Sequence, residues 1–345
     1  MNIFPGLSDW YWNLSRPKKI LVRLTMLGLV AVVAVYIVLM PPKSVPMDLP
    51  IVESSAAART ATEKWWKVFH ADAVEALPDV LAELTAAHDA GPPDSLLSTI
   101  LAGAHLWRFI TRQRSGLSPD EVVEALEASR RYGEEAIRLD PEDDTSTAPS
   151  IVSLTSWTLN VLQGRPEANA AVDIAVLERS LVYPEFAGFI QGWLLAAMHK
   201  PGDPYFDQVE LGYDVVLDAC ASPLPIPDPP RFNKLLHTIF ALRVWRAPVC
   251  YENVAAPHNI EGMFFAMGDA WLKAGDIDRA RIWYENVKTG PRYDSWKYKE
   301  LLEDRLNDLE GYRRKFLGDT GKVLDVTEPA MQFQSENSCG VCHTQ

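Results

Sequence analysis

From Arg59 to Gly318 the apolar residues return every three or four positions, and nowhere do they alternate over the length of a strand. Trp65, Trp66, Val68 and Phe69 open one such stretch, and Val74, Leu77, Val80, Leu81 and Leu84 continue it past Pro78, which reads as a new helix start. Gly91-Pro92-Pro93-Asp94 breaks the pattern, and Asp94 is placed to cap a helix carrying Leu96, Leu97, Ile100, Leu101, Ala104 and Trp107. Ser118-Pro119-Asp120-Glu121 is a capping box with proline at the first helical position. Val122, Val123, Leu126 and Ile137 line the helix it starts, and Asp140-Pro141 ends it. Further helices are expected around 150–163, 169–181 and 185–198, through Leu211 to Ala219, and over a charged stretch at 295–316 with Gly318 as its C-cap. This period excludes a sheet and leaves an all-α chain of helix pairs, the pattern of an α-solenoid.

Pro223-Leu224-Pro225-Ile226-Pro227-Asp228-Pro229-Pro230 cannot be helical. The segment 223–230 is expected to be an extended crossing that divides a first helical half, 59–222, from a second, 231–318.

The N-terminus has a different character. Residues 1–19 carry Trp10, Tyr11 and Trp12, rings suited to headgroup depth, followed by basic Arg16, Lys18 and Lys19. From Leu24 to Met40 no charge appears, and with Ile20, Leu21 and Val22 the run 20–40 reaches the roughly 20 residues a helix needs to cross a bilayer. Arg23 can snorkel. Pro41 and Pro42 stop the run, and 41–58 read as a linker. Basic residues precede the span and acidic Asp48 and Glu53 follow it. The expected topology is therefore a single pass through a bacterial inner membrane, with the N-terminus in the cytoplasm and the main domain periplasmic. A cleaved signal peptide is the competing reading, with Ser54-Ser55-Ala56-Ala57-Ala58 as a late cleavage site.

The composition, 48% hydrophobic and 23% charged over 345 residues, is that of a globular chain. A formal net charge of −13 argues against a nucleic-acid partner and suits a basic one, such as a soluble electron carrier. Eleven tryptophans spread along the chain point to helix packing rather than to one catalytic cluster. Of the four cysteines, Cys220 and Cys250 stand alone, either as a disulfide in an oxidising compartment or as buried small apolar side chains.

The other two lie in Cys339-Gly340-Val341-Cys342-His343. This C-x-x-C-H spacing is that of c-type haem attachment, with two thioether bonds and the adjacent histidine as axial ligand. One covalent haem c is expected, on Cys339 and Cys342 with His343 on the iron. The other reading is a cysteine pair in a tail, disulfide-bonded or incompletely coordinating zinc with His343. The stretch 319–345 is expected to be an extended tail that carries the motif. The motif departs from the small cytochromes c, in which a helical domain and a distal methionine follow it. The sixth ligand is expected upstream, with Met331 first because it shares the tail, and Met263 and Met267 behind it. His199, His237 and His258 are scattered and read as ordinary surface or core residues. No nucleophile–base pair, phosphate loop or dinucleotide fingerprint is present, so no catalytic residue is assigned.

Between 260 and 290 the chain resembles the tetratricopeptide repeat. Phe264, Met267, Gly268 and Trp271 match the large and small positions of its first helix, Gly275 matches its turn, and Ala280 and Tyr284 match its second helix. The 95–141 region has the helix–turn–helix form but places Gly133 where an aromatic residue is expected. The resemblance implies a protein-binding scaffold and no catalysis. Together these readings predict an anchored periplasmic c-type haem protein serving as an electron-transfer or accessory subunit of a respiratory or photosynthetic membrane complex. The alternatives are a haem-free scaffold or assembly factor and, last, a haem peroxidase.

Overall fold

Short polar caps set where several of the helices begin. The Ser55 hydroxyl accepts the Ala58 N–H at 3.0 Å and starts α1, Ala56–His70. A single 3₁₀ turn, Val74–Ala76, leads into α2, Leu77–Ala90, with Pro78 in its first turn. The Asp94 carboxylate accepts the Leu97 N–H at 2.9 Å to start α3, Ser95–Ile110. The capping box starts α4, Pro119–Leu139: Glu121 N–H reaches Ser118 Oγ, and Ser118 N–H reaches Glu121 Oε2. Then come α5, Ala148–Leu162, and α6, Asn169–Val182. After a gap in the described residues follow α7, Ile260–Ala274; α8, Ile277–Val287; α9, Lys299–Asn307; α10, Leu309–Gly318; and α11, Ser338–His343.

The computed structural model describes residues 18, 51–142, 147–182, 195–207, 209, 259–288, 290, 292–324, 326 and 330–344. All but Lys18 belong to one compact unit, Pro46–Gln345. Among the described residues there is helix and no strand, and no helix is long and apolar enough to cross a membrane. The expected transmembrane run 20–40, the helix through Leu211, the crossing 223–230, Cys220, Cys250, His237 and His258 lie outside the described residues.

Three boundaries differ from expectation. The linker ends early, because alanines 56–58 are strong helix formers once Ser55 caps them, and Val52 just before is already buried. The charged stretch 295–316 is two helices rather than one. Asp308, at φ −141° and ψ 60°, closes α9 and opens α10 by accepting the Gly311 N–H at 2.9 Å, the competing local bond that makes aspartate a cap rather than a helix interior. Gly318 is the last residue of α10, and its C-cap is Asp319.

A fourth difference is the largest. The tail after Gly318, expected to be extended, packs against the helices. Ala330, Met331, Gln332 and Ser338 are buried. A buried ion pair, Asp269–Arg305 at 3.1 Å, holds the tail backbone from both of its members. Arg305 donates to Ala330 O at 2.5 Å, and Gln332 N–H donates to Asp269 Oδ2 at 2.7 Å.

Two apolar clusters dominate. One gathers α1, α2 and α3, with Trp65, Trp66, Phe69, Leu84, Leu101 and Trp107. Its rings interlock, Trp65 stacking on Phe69 at 4.9 Å and meeting Trp107 edge-on at 5.7 Å. The other gathers α7, α8 and α10, with Phe264, Phe265, Leu272, Trp283, Tyr284 and Phe316. Burial of each large side chain stabilises by about 1.5–3 kcal/mol. The α7–α8 hairpin turns through Gly275 at φ 93°, a left-handed conformation that glycine adopts without strain. Gly268 lets the helices close, since a Cβ there would overlap the Tyr284 ring.

Candidate haem-attachment site

The motif occupies α11, which lies at the seam between the two clusters. Cys339 packs against the α1–α3 cluster, whereas Val341 and Cys342 belong to the α7–α10 cluster. Helical spacing puts Cys339, Cys342 and His343 on one face, because positions three and four apart are neighbours. Both cysteines are free thiols.

A six-residue helix leaves most of its carbonyls without internal partners, and the fold supplies them. Asn259 does most of this. Its Oδ1 accepts the Gly262 N–H at 2.7 Å and caps α7. Its Nδ2 donates to Val341 O and Thr344 O, both at 3.1 Å, and its backbone N–H donates to Cys342 O at 2.6 Å. Trp296 Nε1 donates to Val341 O at 3.0 Å. Thr344 Oγ1 donates to Gly340 O at 2.7 Å. Gln332 Nε2 donates to Cys342 Sγ at 2.8 Å and to Ser338 O at 3.3 Å. The approach is close enough to need glycine on both sides. A Cβ on Gly262 would sit 2.6 Å from Cys342 Cα, and a Cβ on Gly340 would collide with the Tyr298 hydroxyl.

A polar cluster borders the Cys339 end. Asp72, at φ 52°, holds the Arg114 guanidinium through both carboxylate oxygens at 3.0 and 3.1 Å and lies 3.4 Å from the Tyr298 hydroxyl. Lys297 Nζ donates to Ala71 O at 3.1 Å. At the other end, the His343 imidazole lies 5.0 Å from the Phe69 ring.

Burial pushes the Cys342 thiol up to about 12, an effect the Gln332 hydrogen bond only partly offsets. Burial raises the Cys339 thiol well above its ordinary range, with Asp72 and Cys342 adding to the shift. Both sulfurs are thus protonated at neutral pH and poor nucleophiles in the folded chain. Among the described residues no group of three or more His, Cys, Asp or Glu is placed to hold a metal ion.

Of the methionines expected as sixth ligands, Met331, Met263 and Met267 are all buried in the α7–α10 cluster with Cys342. His199 lies between Asp173 and Asp203 at 3.4 and 3.3 Å. The periodic pattern gave no sign of Asn259, Trp296 and Gln332 as holders of the motif, since each meets it only across the fold. It also passed over His70, whose Nε2 is buried without a hydrogen-bond partner.

The donor set is of the kind a covalent haem c would use, two free thiols three positions apart and an imidazole on the same helical face, and His70 adds a second buried imidazole nitrogen without a hydrogen-bond partner. The chain matches no family model, no curated protein and no solved structure.

Proposed function

We propose that the chain is a membrane-anchored periplasmic c-type haem protein, an electron-transfer or accessory subunit of a larger respiratory or photosynthetic membrane complex. The observation that carries this reading is the seating of Cys339, Cys342 and His343 on one short helix whose carbonyls are held by Asn259 and Trp296. A bound haem supplies a one-electron iron couple. Cys339 and Cys342 would bond its vinyl groups and His343 would ligate the iron. Phe69, Trp65 and Trp107 would exclude water, which bears on the potential through local dielectric. Because Cys342 is buried once α11 is docked, haem attachment would precede docking of the tail.

The anchor rests on the uncharged run 24–40 and its basic flank, and the partner class on net charge −13, which favours a basic carrier. The tetratricopeptide-like hairpin of α7 and α8 would contribute a scaffold for neighbouring subunits. Intact-peptide mass spectrometry of the C-terminal fragment, from protein made in a host with cytochrome c maturation, tests the reading. The expected result is a haem mass on the segment containing Cys339 and Cys342. An unmodified or disulfide-bonded peptide would sink it.

A second reading is a haem-free helical-repeat scaffold or assembly factor. Its support is the packing of α11 itself, where Val341 and Cys342 fill the α7–α10 cluster as ordinary core residues. Cys339→Ser with Cys342→Ser would leave partner binding intact under this reading and abolish electron transfer under the first.

A further inference from the structure

We propose that His70 is the second axial ligand of the iron, completing a bis-histidine site with His343. The inference rests on the haem reading above and deepens it. His70 is the last residue of α1, the helix that forms the aromatic wall beside the motif. Its neighbour Phe69 lies against both imidazoles, with ring centroids 5.0 Å from His343 and 6.0 Å from His70. The His70 ring is held in place by stacking on Trp66, at 5.7 Å and 26°. Its Nε2 is shut off from solvent and meets no hydrogen-bond acceptor or donor. A buried ring nitrogen left without a partner is costly, and such groups in folded proteins call for a specific explanation. An iron bond to Nε2 would supply the missing interaction.

A further observation agrees. Met331, the ligand expected from the sequence, is packed as a core side chain, and the backbone on either side of it is pinned by Arg305 and Asp269. His105 serves as an internal comparison. Its Nδ1 is also unpartnered and its ring likewise stacks, on Tyr132 of α4, at 5.6 Å and 17°.

The test uses full-length protein matured with haem, with covalent haem content measured first. Wild type is expected to be low-spin in both visible and electron paramagnetic resonance spectra. His70→Ala should keep its covalent haem, turn high-spin and gain carbon monoxide binding in the ferrous state, and added imidazole should restore the low-spin spectrum. His70→Met should stay folded and shift the reduction potential upward, which guards against the alanine variant failing to fold. Met331→Leu and His105→Leu should leave the spectrum unchanged. The proposal is overturned if haem-loaded His70→Ala stays low-spin, if wild type shows the charge-transfer band of a methionine–iron bond, or if Met331→Leu or His105→Leu converts the iron to high-spin. Haem present with His70 silent defeats this inference alone, whereas absence of covalent haem defeats the haem reading and this inference with it.

Discussion

Asp269 and Arg305 form an ion pair at 3.1 Å with both side chains fully enclosed, and the pair is the clamp that turns a polar tail into part of the core. Asp269 also accepts the Tyr284 hydroxyl at 2.6 Å and the Gln332 N–H, while Arg305 lies over the Tyr312 ring at 4.2 Å and donates to Ala330 O. One pair thus joins α7, α8, α9, α10 and the segment leading to the motif.

Removing one partner strands the other. Asp269→Ala should cost about 3–5 kcal/mol of stability by urea unfolding, because a buried guanidinium loses its counter-charge. Limited proteolysis of the same variant should cut first between 319 and 338. The double change Asp269→Leu with Arg305→Met should recover part of the loss, since it leaves no buried charge unpaired. A double variant no more stable than Asp269→Ala would show that the tail bonds, and not the ion pair, dominate.

Asn259 performs two tasks that one substitution separates. Asn259→Asp keeps the oxygen that caps α7 but replaces the donor to Val341 O and Thr344 O with a carboxylate that repels them. α7 should therefore persist by circular dichroism while α11 undocks. Alkylation of Cys342 in the haem-free protein should then accelerate by about tenfold or more, as the thiol leaves its buried site. An unchanged alkylation rate would refute the role of Asn259 in seating the motif.

Lys273 gives the chain a pH dependence of definite sign. Its Nζ is buried and donates to Ala196 O at 2.7 Å and Ala197 O at 3.2 Å. Burial lowers its pKa from 10.5 to about 7; Asp319 works against the shift and Lys200 with it. Between those two values the unfolded chain binds the extra proton more readily than the folded one, so stability rises with pH over that window. The rise should be clearest from pH 7 to 9, before the buried thiols, raised above 9, begin to oppose it. Lys273→Met should flatten the slope of unfolding free energy against pH, and an unaltered slope would place the titration elsewhere.

The capping box of α4 is a local device and should behave as one. Ser118→Ala removes the oxygen that meets Glu121 N–H and should cost about 1 kcal/mol, read as a shift in the urea midpoint without a change in slope. The thiols of α11 should be indifferent to it.

Sequence alone determined the class of secondary structure and most helix starts. Ser118-Pro119-Asp120-Glu121, Asp94, Pro78 and Gly275 all act through bonds and backbone angles within a few residues of themselves, so their effect is readable wherever they occur. The motif Cys339-Gly340-Val341-Cys342-His343 was legible for the same reason, its chemistry being a matter of spacing. Asp308, whose side chain splits one expected helix into two, shows the limit of that reading, because local periodicity did not reveal which of two permitted conformations an aspartate would take. Only the tertiary structure decided that the tail folds back, that Asn259, Trp296 and Gln332 hold the motif, and that His70 comes to rest on the same phenylalanine as His343. Asn259 reaches Val341 across 82 positions and Trp296 reaches it across 45. Contacts of that range follow from how whole helices pack, a property that no local pattern carries.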